Sequence, residues 1–92
     1  MRRFSIILLL ASAASVLEVV RDDRRIYAGH PWGVAVYDLD GRPVTRVALG
    51  EPARALAALG GSLWVGTPAG LFRISLNDWS VGHIWLDGAL PE

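Results

Sequence analysis

The sequence predicts an all-β fold of two four-stranded antiparallel sheets, one from each copy of an internal repeat. Three observations support this prediction: a repeat of 37 residues, turn-forming residues at matching places in both copies, and short apolar segments between the turns. A fixed period of this length is typical of architectures in which each copy forms one supersecondary unit. The 92 residues of the chain allow one small domain at most.

The repeat is seen when the sequence is shifted by 37 residues against itself, which aligns IYAGHPWGVAVY (26–37) with LWVGTPAGLFRI (63–74). Apolar residues keep the same spacing beyond this segment, as far as Leu49 and Leu86. Within residues 26–37 three aligned pairs are identical, namely Gly29 with Gly66, Pro31 with Pro68, and Gly33 with Gly70.

Turn residues divide each copy into four predicted strands. The segments RDDR and GGS, HPW and TPA, and LDGRP and LNDWS occupy matching places between the strands. Gly and Asn accept a positive φ and Pro fixes φ, so these segments favour turns. The predicted strands are Val16–Val20, Arg25–Gly29, Gly33–Asp38 and Val44–Leu49, then Ala53–Ala58, Ser62–Gly66, Gly70–Ser75 and Val81–Leu86.

The segment EPARALAALGG is rich in alanine and would suit a helix, but the period aligns it with the β-branched segment SVLEVVRDD. We therefore predict a strand here. Its small residues suit an innermost strand, next to the central channel of a ring of sheets. The small residues are Ala53, Ala55, Ala57 and Ala58.

The strands SLWVG and GLFRI are apolar at consecutive positions. Alternation of apolar and polar residues is typical of a sheet with one face in water, so these strands predict sheets covered on both faces. Four-stranded sheets stacked in this way form the blades of a β-propeller. We predict blade 1 over residues 14–51, and blade 2 with the start of a linker over residues 52–92.

The segment GGSLWVGTPAGLFRISL resembles the repeat of the two-component regulator propellers, whose pattern runs roughly G-x-L-W-V-G-T-x-x-G-L-x-R. The resemblance implies a propeller outside the cytoplasm that senses a ligand or binds a protein, without catalysis. It also implies a structural role for the residues of the motif and for the matching glycines of the first copy. These residues are Gly29, Gly33, Trp64, Gly66, Thr67, Gly70 and Arg73.

The first copy matches this pattern less well, since Tyr27 replaces Trp, His30 replaces Thr and Val36 replaces Arg. Its segment VAVYDLDGRPV also resembles the repeats of quinoprotein-type propellers. The alternative function is therefore part of a propeller enzyme, such as a quinoprotein dehydrogenase or a lactonase. The predicted innermost strands offer only Glu18 and Arg54 as charged residues for such a site.

Two blades are too few to close a ring, because propellers have about four or more. Closure requires either further blades of the same chain or a homo-oligomer. The tail DGALPE resembles the DGLP segment that leads into the next blade of the family, which favours a fragment of a longer protein.

Composition excludes several classes of site. Nine basic residues balance nine acidic ones, so no basic surface suggests nucleic acid. The absence of cysteine excludes disulfides, thiolate metal sites and a cysteine nucleophile. DLDG (38–41) lacks the further ligands of a calcium loop and predicts a hairpin turn. His30 and His83 lack the spacing of metal ligands, and we expect no metal and no cofactor.

Four tryptophans and one charged turn complete the candidates. Trp64 and Trp85 lie in predicted strands and are expected to pack. Trp32 and Trp79 lie in turns, where an exposed ring suits contact with a ligand or partner at one rim of a closed propeller; packing over a neighbouring blade is the alternative. The turn DDRR (22–25) is expected to be solvated, with its charges balanced locally.

Residues 1–13 resemble a secretory signal peptide, with Arg2 and Arg3, the apolar segment FSIILLL, and the cleavage pattern Ala11-Ser12-Ala13. The predicted location is therefore periplasmic or extracellular. One alternative is a membrane anchor over 4–20, which Glu18 and the short length weaken. The other is a strand from a preceding repeat, because residues 6–10 lie one period before residues 43–47.

We expect residues 1–13 to be removed on export, so that the mature chain begins at Ala14. Mass spectrometry of a periplasmic preparation measures this directly. An intact Met1 on a soluble cytoplasmic product would contradict the prediction.

Overall fold

The computed structural model describes residues 15–84, and this part of the chain contains eight β-strands and no helix. The first sheet contains β1 (Glu18–Arg21), β2 (Arg25–His30), β3 (Gly33–Asp38) and β4 (Pro43–Ala48). The second contains β5 (Ala55–Leu59), β6 (Ser62–Thr67), β7 (Gly70–Ser75) and β8 (Val81–Ile84). In both sheets the strands are antiparallel and lie side by side in chain order.

The predicted all-β class and the two sheets of four strands are confirmed. Predicted and observed strand ends differ by two residues at most wherever the structure describes them. The two sheets do not close into a ring. The predicted signal peptide (1–13), Trp85 and the tail DGALPE lie outside the described residues. In the part of the chain that is described, there is no helix able to cross a membrane.

The strand β5 forms from the alanine-rich segment because a tight turn follows it. Gly60 and Gly61 have φ of 55° and 78°, the pair of positive values that a two-residue hairpin of type I′ requires. The hairpin pairs Leu59 with Ser62 and draws the preceding alanines into the sheet. Tertiary pairing thus overrides the helix propensity of alanine.

The hairpin between β6 and β7 is closed by Thr67. Its hydroxyl donates to the carbonyl oxygen of Gly70 at 2.9 Å and accepts from the N–H of Ala69 at 3.1 Å. Gly70 has φ of 123°, which L-residues with a side chain rarely adopt. The Thr67 and Gly70 of the motif therefore act together to form this turn.

The two sheets share one hydrophobic core. Strand β5 packs against β1 and β2, and the N–H of Ala53 donates to the carbonyl of His30 at 3.0 Å just before β5 begins. Side chains from both sheets meet between them and exclude water, which is the main stabilising contribution. The buried members are Tyr27, Val34, Val36, Val47, Ala53, Leu56, Leu63, Val65, Phe72 and Ile74.

Side chains at equivalent positions of the two copies project from the same side of their sheets. Tyr27 is fully buried in the shared core, whereas its equivalent Trp64 lies on the opposite face of the second sheet, between the core residues Leu63 and Val65. In a two-fold sandwich, equivalent positions would face each other across the core. The sheets are instead stacked head to tail, which is a heterologous arrangement.

Gly29 permits the close approach of the two sheets, since a Cβ at this position would overlap the carbonyl oxygen of Ala53. We expect Gly29→Ala to lower the free energy of unfolding by about 2 kcal/mol, because the backbone of β2 and the Ala53 segment must move apart. Urea unfolding followed by tryptophan fluorescence measures the change.

Gly82→Ala is the matched control. The nearest atom to a Cβ at Gly82 is the Arg73 carbonyl oxygen at 4.0 Å, so this substitution should change stability by no more than about 0.5 kcal/mol. Equal effects of the two substitutions would contradict the proposed role of Gly29.

Candidate functional site

A cleft of about 310 Å³ lies where one end of the first sheet meets the second. Three turns or strand ends form it, from both copies of the repeat. Its volume is at the lower end of the range of small-molecule sites, which is about 300–1,000 Å³. The lining residues are Asp22, Arg24, Arg25, Gly61, Leu76 and Asn77.

Asp22 organises the wall of the cleft formed by the β1–β2 turn. Its Oδ1 accepts the backbone N–H groups of Arg24 and Arg25, each at 2.8 Å, and its Oδ2 accepts the hydroxyl of Tyr27 at 2.7 Å. Both carboxylate oxygens are therefore engaged within the protein. The turn is fixed in place by three hydrogen bonds to one charged group, a strong type of bond.

These contacts determine the ionisation of the Asp22–Tyr27 pair. Burial alone would raise the pKa of Asp22, but the hydrogen bonds from Tyr27, Arg24 and Arg25 and the charge of Arg25 hold that pKa below its usual 3.8. Burial, followed by the hydrogen bond to Asp22, raises the pKa of Tyr27 to about 12. At neutral pH the pair is a carboxylate and a neutral phenol.

Arg25 joins the first sheet to the second. Its Nη1 donates to the carbonyl of Leu76 at 3.3 Å, and its guanidinium lies 5.0 Å from the centre of the Trp79 ring. Trp79 has φ of 64°, and its N–H donates to the carbonyl of Ser75 at 2.8 Å. The backbone of the β7–β8 turn thus holds the indole against Arg25, where a cation–π contact stabilises the junction.

Trp32 lies in a different environment, in the β2–β3 turn. Its ring stacks on His30 with ring centres 4.8 Å apart, and the guanidinium of Arg46 lies 5.5 Å from the indole. His30 is buried, and its Nδ1 is 2.9 Å from the hydroxyl of Ser15. Its Nε2 has no hydrogen-bond partner among residues 15–84. Burial first, and then the charge of Arg46, lower the pKa of His30.

The structure does not bring Trp32 and Trp79 together. Trp79 contacts Arg25 at one end of β2, and Trp32 stacks on His30 at the other end of the same strand. The two rings therefore lie at opposite ends of the described sheets and do not share one rim. An arginine guanidinium lies against each of these two rings. Each tryptophan therefore packs against a neighbouring side chain and has a charged group beside it.

The motif residues lie in the frame of the sheets. Trp64 is paired with Arg73 across β6 and β7, and the Arg73 guanidinium lies 5.8 Å from its ring centre on the outer face. Gly66 faces Ala55, whose Cβ would be 3.3 Å from a Cβ at Gly66. Gly33, with φ of 147°, begins β3 beside β4, where a Cβ would overlap the Val47 carbonyl oxygen.

The cleft was not predicted, because the segment DDRR (22–25) was expected to be a solvated turn. Asp22 is half-buried and organises a junction between sheets, with Arg25 reaching Leu76 across 51 positions of the chain. One signal was available. Asp22 lies two residues before Arg24 and three before Arg25, between two predicted strands. An Asp at this spacing favours a turn in which its side chain accepts the backbone N–H groups.

We expect stability to fall in mild acid because of His30. Its pKa in the folded chain lies below the unfolded value of about 6.5, so the unfolded chain binds more protons between the two values. The contribution of His30 to stability is therefore constant above about pH 6.5 and decreases as the pH falls below that value. Urea unfolding at pH 8.0 and 5.5 measures the difference.

His30→Gln should remove this fall between pH 8.0 and 5.5, whatever its effect at pH 8.0. His83→Gln removes an exposed histidine and should retain the fall. If His30→Gln loses as much stability in acid as the unaltered chain, the assignment to His30 is wrong.

Comparison with family models, with curated proteins and with solved structures found no match. The function proposed below is therefore supported by the residues and geometry of this chain.

Proposed function

We propose that the chain is a piece of a β-propeller that acts outside the cytoplasm as a ligand-sensing or protein-interaction module, without catalysis. The proposal rests on one observation, the head-to-tail stacking of the two sheets. In a propeller each blade presents the same face to the next blade, so equivalent positions of successive repeats point the same way around the ring. Tyr27 and Trp64 have this relation.

The outer face of the second sheet supports the same interpretation. Five residues of the first sheet that pack towards the second have equivalents one period later on this outer face. Four of those equivalents are apolar, and the fifth, Arg73, lies over the ring of Trp64. Leu59 extends the apolar surface; it is 64% exposed, and Ile84 is 47% exposed. The equivalent pairs are Val20 and Ala57, Tyr27 and Trp64, Val34 and Leu71, Val36 and Arg73, and Val47 and Ile84.

A largely apolar face of this kind favours association, because water is excluded when another sheet covers it. The repeat indicates which surface fits: a four-stranded sheet that presents residues like Leu63, Val65 and Ile74, which cover the first sheet here. Further blades of a longer chain or identical chains would supply that sheet. The Arg2–Arg3 segment and the Ala11-Ser12-Ala13 pattern support action outside the cytoplasm.

Binding is favoured over catalysis by the way the motif residues are used. Thr67 and Gly70 close a turn, and Trp64 and Arg73 form a cross-strand pair. These contacts account for the motif as blade structure. The cleft beside Arg25 offers a ligand-sized space at the junction of two sheets, where small-molecule sites commonly occur.

We expect the isolated chain to associate through the outer face of the second sheet. Light scattering across a concentration series should show a defined ring, for example of three or four copies, or larger aggregates at micromolar concentration. Exposed apolar surface contributes about 25 cal/mol per Å² when it is buried, which is large against a total stability of about 5–15 kcal/mol.

The paired variants are Leu59→Asp, on the outer face of the second sheet, and Val81→Asp, on the opposite face of the same sheet, where Val81 pairs with Ile74. Both residues are exposed, at 64% and 44%, so neither change should prevent folding. Leu59→Asp should weaken association at least tenfold, and Val81→Asp should not. A cooperatively folding monomer of the unaltered chain at micromolar concentration would overturn the proposal.

A further inference from the structure

We propose that the cleft between the sheet ends is a binding site for a small monocarboxylate, with Arg24 binding the carboxylate group and Asn77 contacting the body of the ligand. The inference adds a ligand class to the binding function proposed above and rests on it. The cleft itself is formed by one chain, from the β1–β2 turn, the β5–β6 turn and the end of β7.

The charges of the cleft leave one cation free for a ligand. Asp22 has both oxygens occupied by Arg24 N–H, Arg25 N–H and the Tyr27 hydroxyl. The Arg25 guanidinium is held by the Leu76 carbonyl and the Trp79 ring. Within residues 15–84 the guanidinium of Arg24 has no hydrogen bond or ion pair. Two guanidinium groups and one carboxylate give the cleft a net charge of +1.

The backbone of Arg24 is also held in position before a ligand arrives, while its side chain is exposed. Its N–H is bound to Asp22 Oδ1 at 2.8 Å, and the next residue, Arg25, is fixed at both its backbone and its side chain. The backbone of a turn fixed in this way loses little further freedom on binding, which favours affinity. The planar guanidinium matches the two oxygens of a carboxylate.

The other walls of the cleft suit the body of a small organic acid. Gly61 leaves its side of the cleft open, because a Cβ added there would meet nothing within 4 Å. Leu76 contributes apolar surface, and the Asn77 side-chain amide can both donate and accept hydrogen bonds. The volume of 310 Å³ corresponds to about ten water molecules at roughly 30 Å³ each, which fits a ligand of a few carbon atoms.

A monoanion fits the charge of the cleft better than phosphate does. Phosphate groups carry about −1.5 to −2 charges at neutral pH. In this cleft the second negative charge of a phosphate would lie near the carboxylate of Asp22. The lining residues offer no second free cation to balance that charge. The net charge of +1 is balanced by one carboxylate.

Isothermal titration calorimetry of the full chain with sodium lactate tests the inference, with sodium chloride at equal ionic strength as the reference. We expect saturable binding with a Kd in the millimolar range. Hydrogen exchange followed by mass spectrometry, which tolerates any state of assembly, should show protection in peptides covering 22–25, 60–62 and 76–79. No saturation above the chloride reference, or protection elsewhere only, would overturn the site.

Arg24→Gln should weaken lactate binding about tenfold, the effect of losing a hydrogen bond to a charged group. Arg54→Gln removes the same charge from an exposed residue outside the cleft and should leave lactate binding unchanged. Equal losses in the two variants would reduce the effect to overall charge and refute the site. Sodium phosphate that binds as tightly as lactate would refute the ligand class.

The two proposals fail separately. Leu59→Asp, which should weaken association, lies outside the cleft lining and should leave lactate binding intact. Arg24→Gln should leave association intact. Loss of lactate binding in Leu59→Asp would contradict the statement that the cleft is complete within one chain.

Discussion

The structure depends on how closely β2 and the segment before β5 approach each other. Gly29 has no side chain to separate it from Ala53, and the Ala53 N–H donates to the His30 carbonyl at 3.0 Å. This contact fixes one end of β2 against the second sheet. At the other end Arg25 reaches the Leu76 carbonyl and the Trp79 ring. With both ends of β2 fixed, the second sheet can pack in one orientation only, with Leu63, Val65 and Ile74 facing the first.

The cleft is a consequence of this junction at the Arg25 end. The sheets are joined through the long polar side chain of Arg25 there and through direct backbone contact at the Gly29 end, and the cleft lies at the Arg25 end. Asp22 uses its charge to hold the turn, and Arg25 uses its charge to hold the second sheet. Asp22 and Arg25 make the contacts of the junction, and the guanidinium of Arg24 has no hydrogen bond to the described residues.

Much of the fold could be predicted because its turns have backbone causes that are visible in the sequence. Gly60 and Gly61 adopt the positive φ values that a tight hairpin needs, and Thr67 closes the next turn. The cleft and the positions of Trp32 and Trp79 could not be predicted in the same way. They depend on which turns of different repeats lie at the same end of the stack, and a period of 37 residues does not contain that information.

The differences between the two copies follow from what covers each of them. Tyr27 and Val36 are paired across β2 and β3, and the second sheet buries both. Their equivalents are Trp64 and Arg73, paired in the same way on an outer face that no described residue covers. An arginine over an indole tolerates water, since its charge stays hydrated while its stem shields the ring; a valine beside a tyrosine does not. The second copy therefore has a pair suited to a face that is in water when the chain has folded. This agrees with the proposal that the outer face of the second sheet associates with another sheet only after folding.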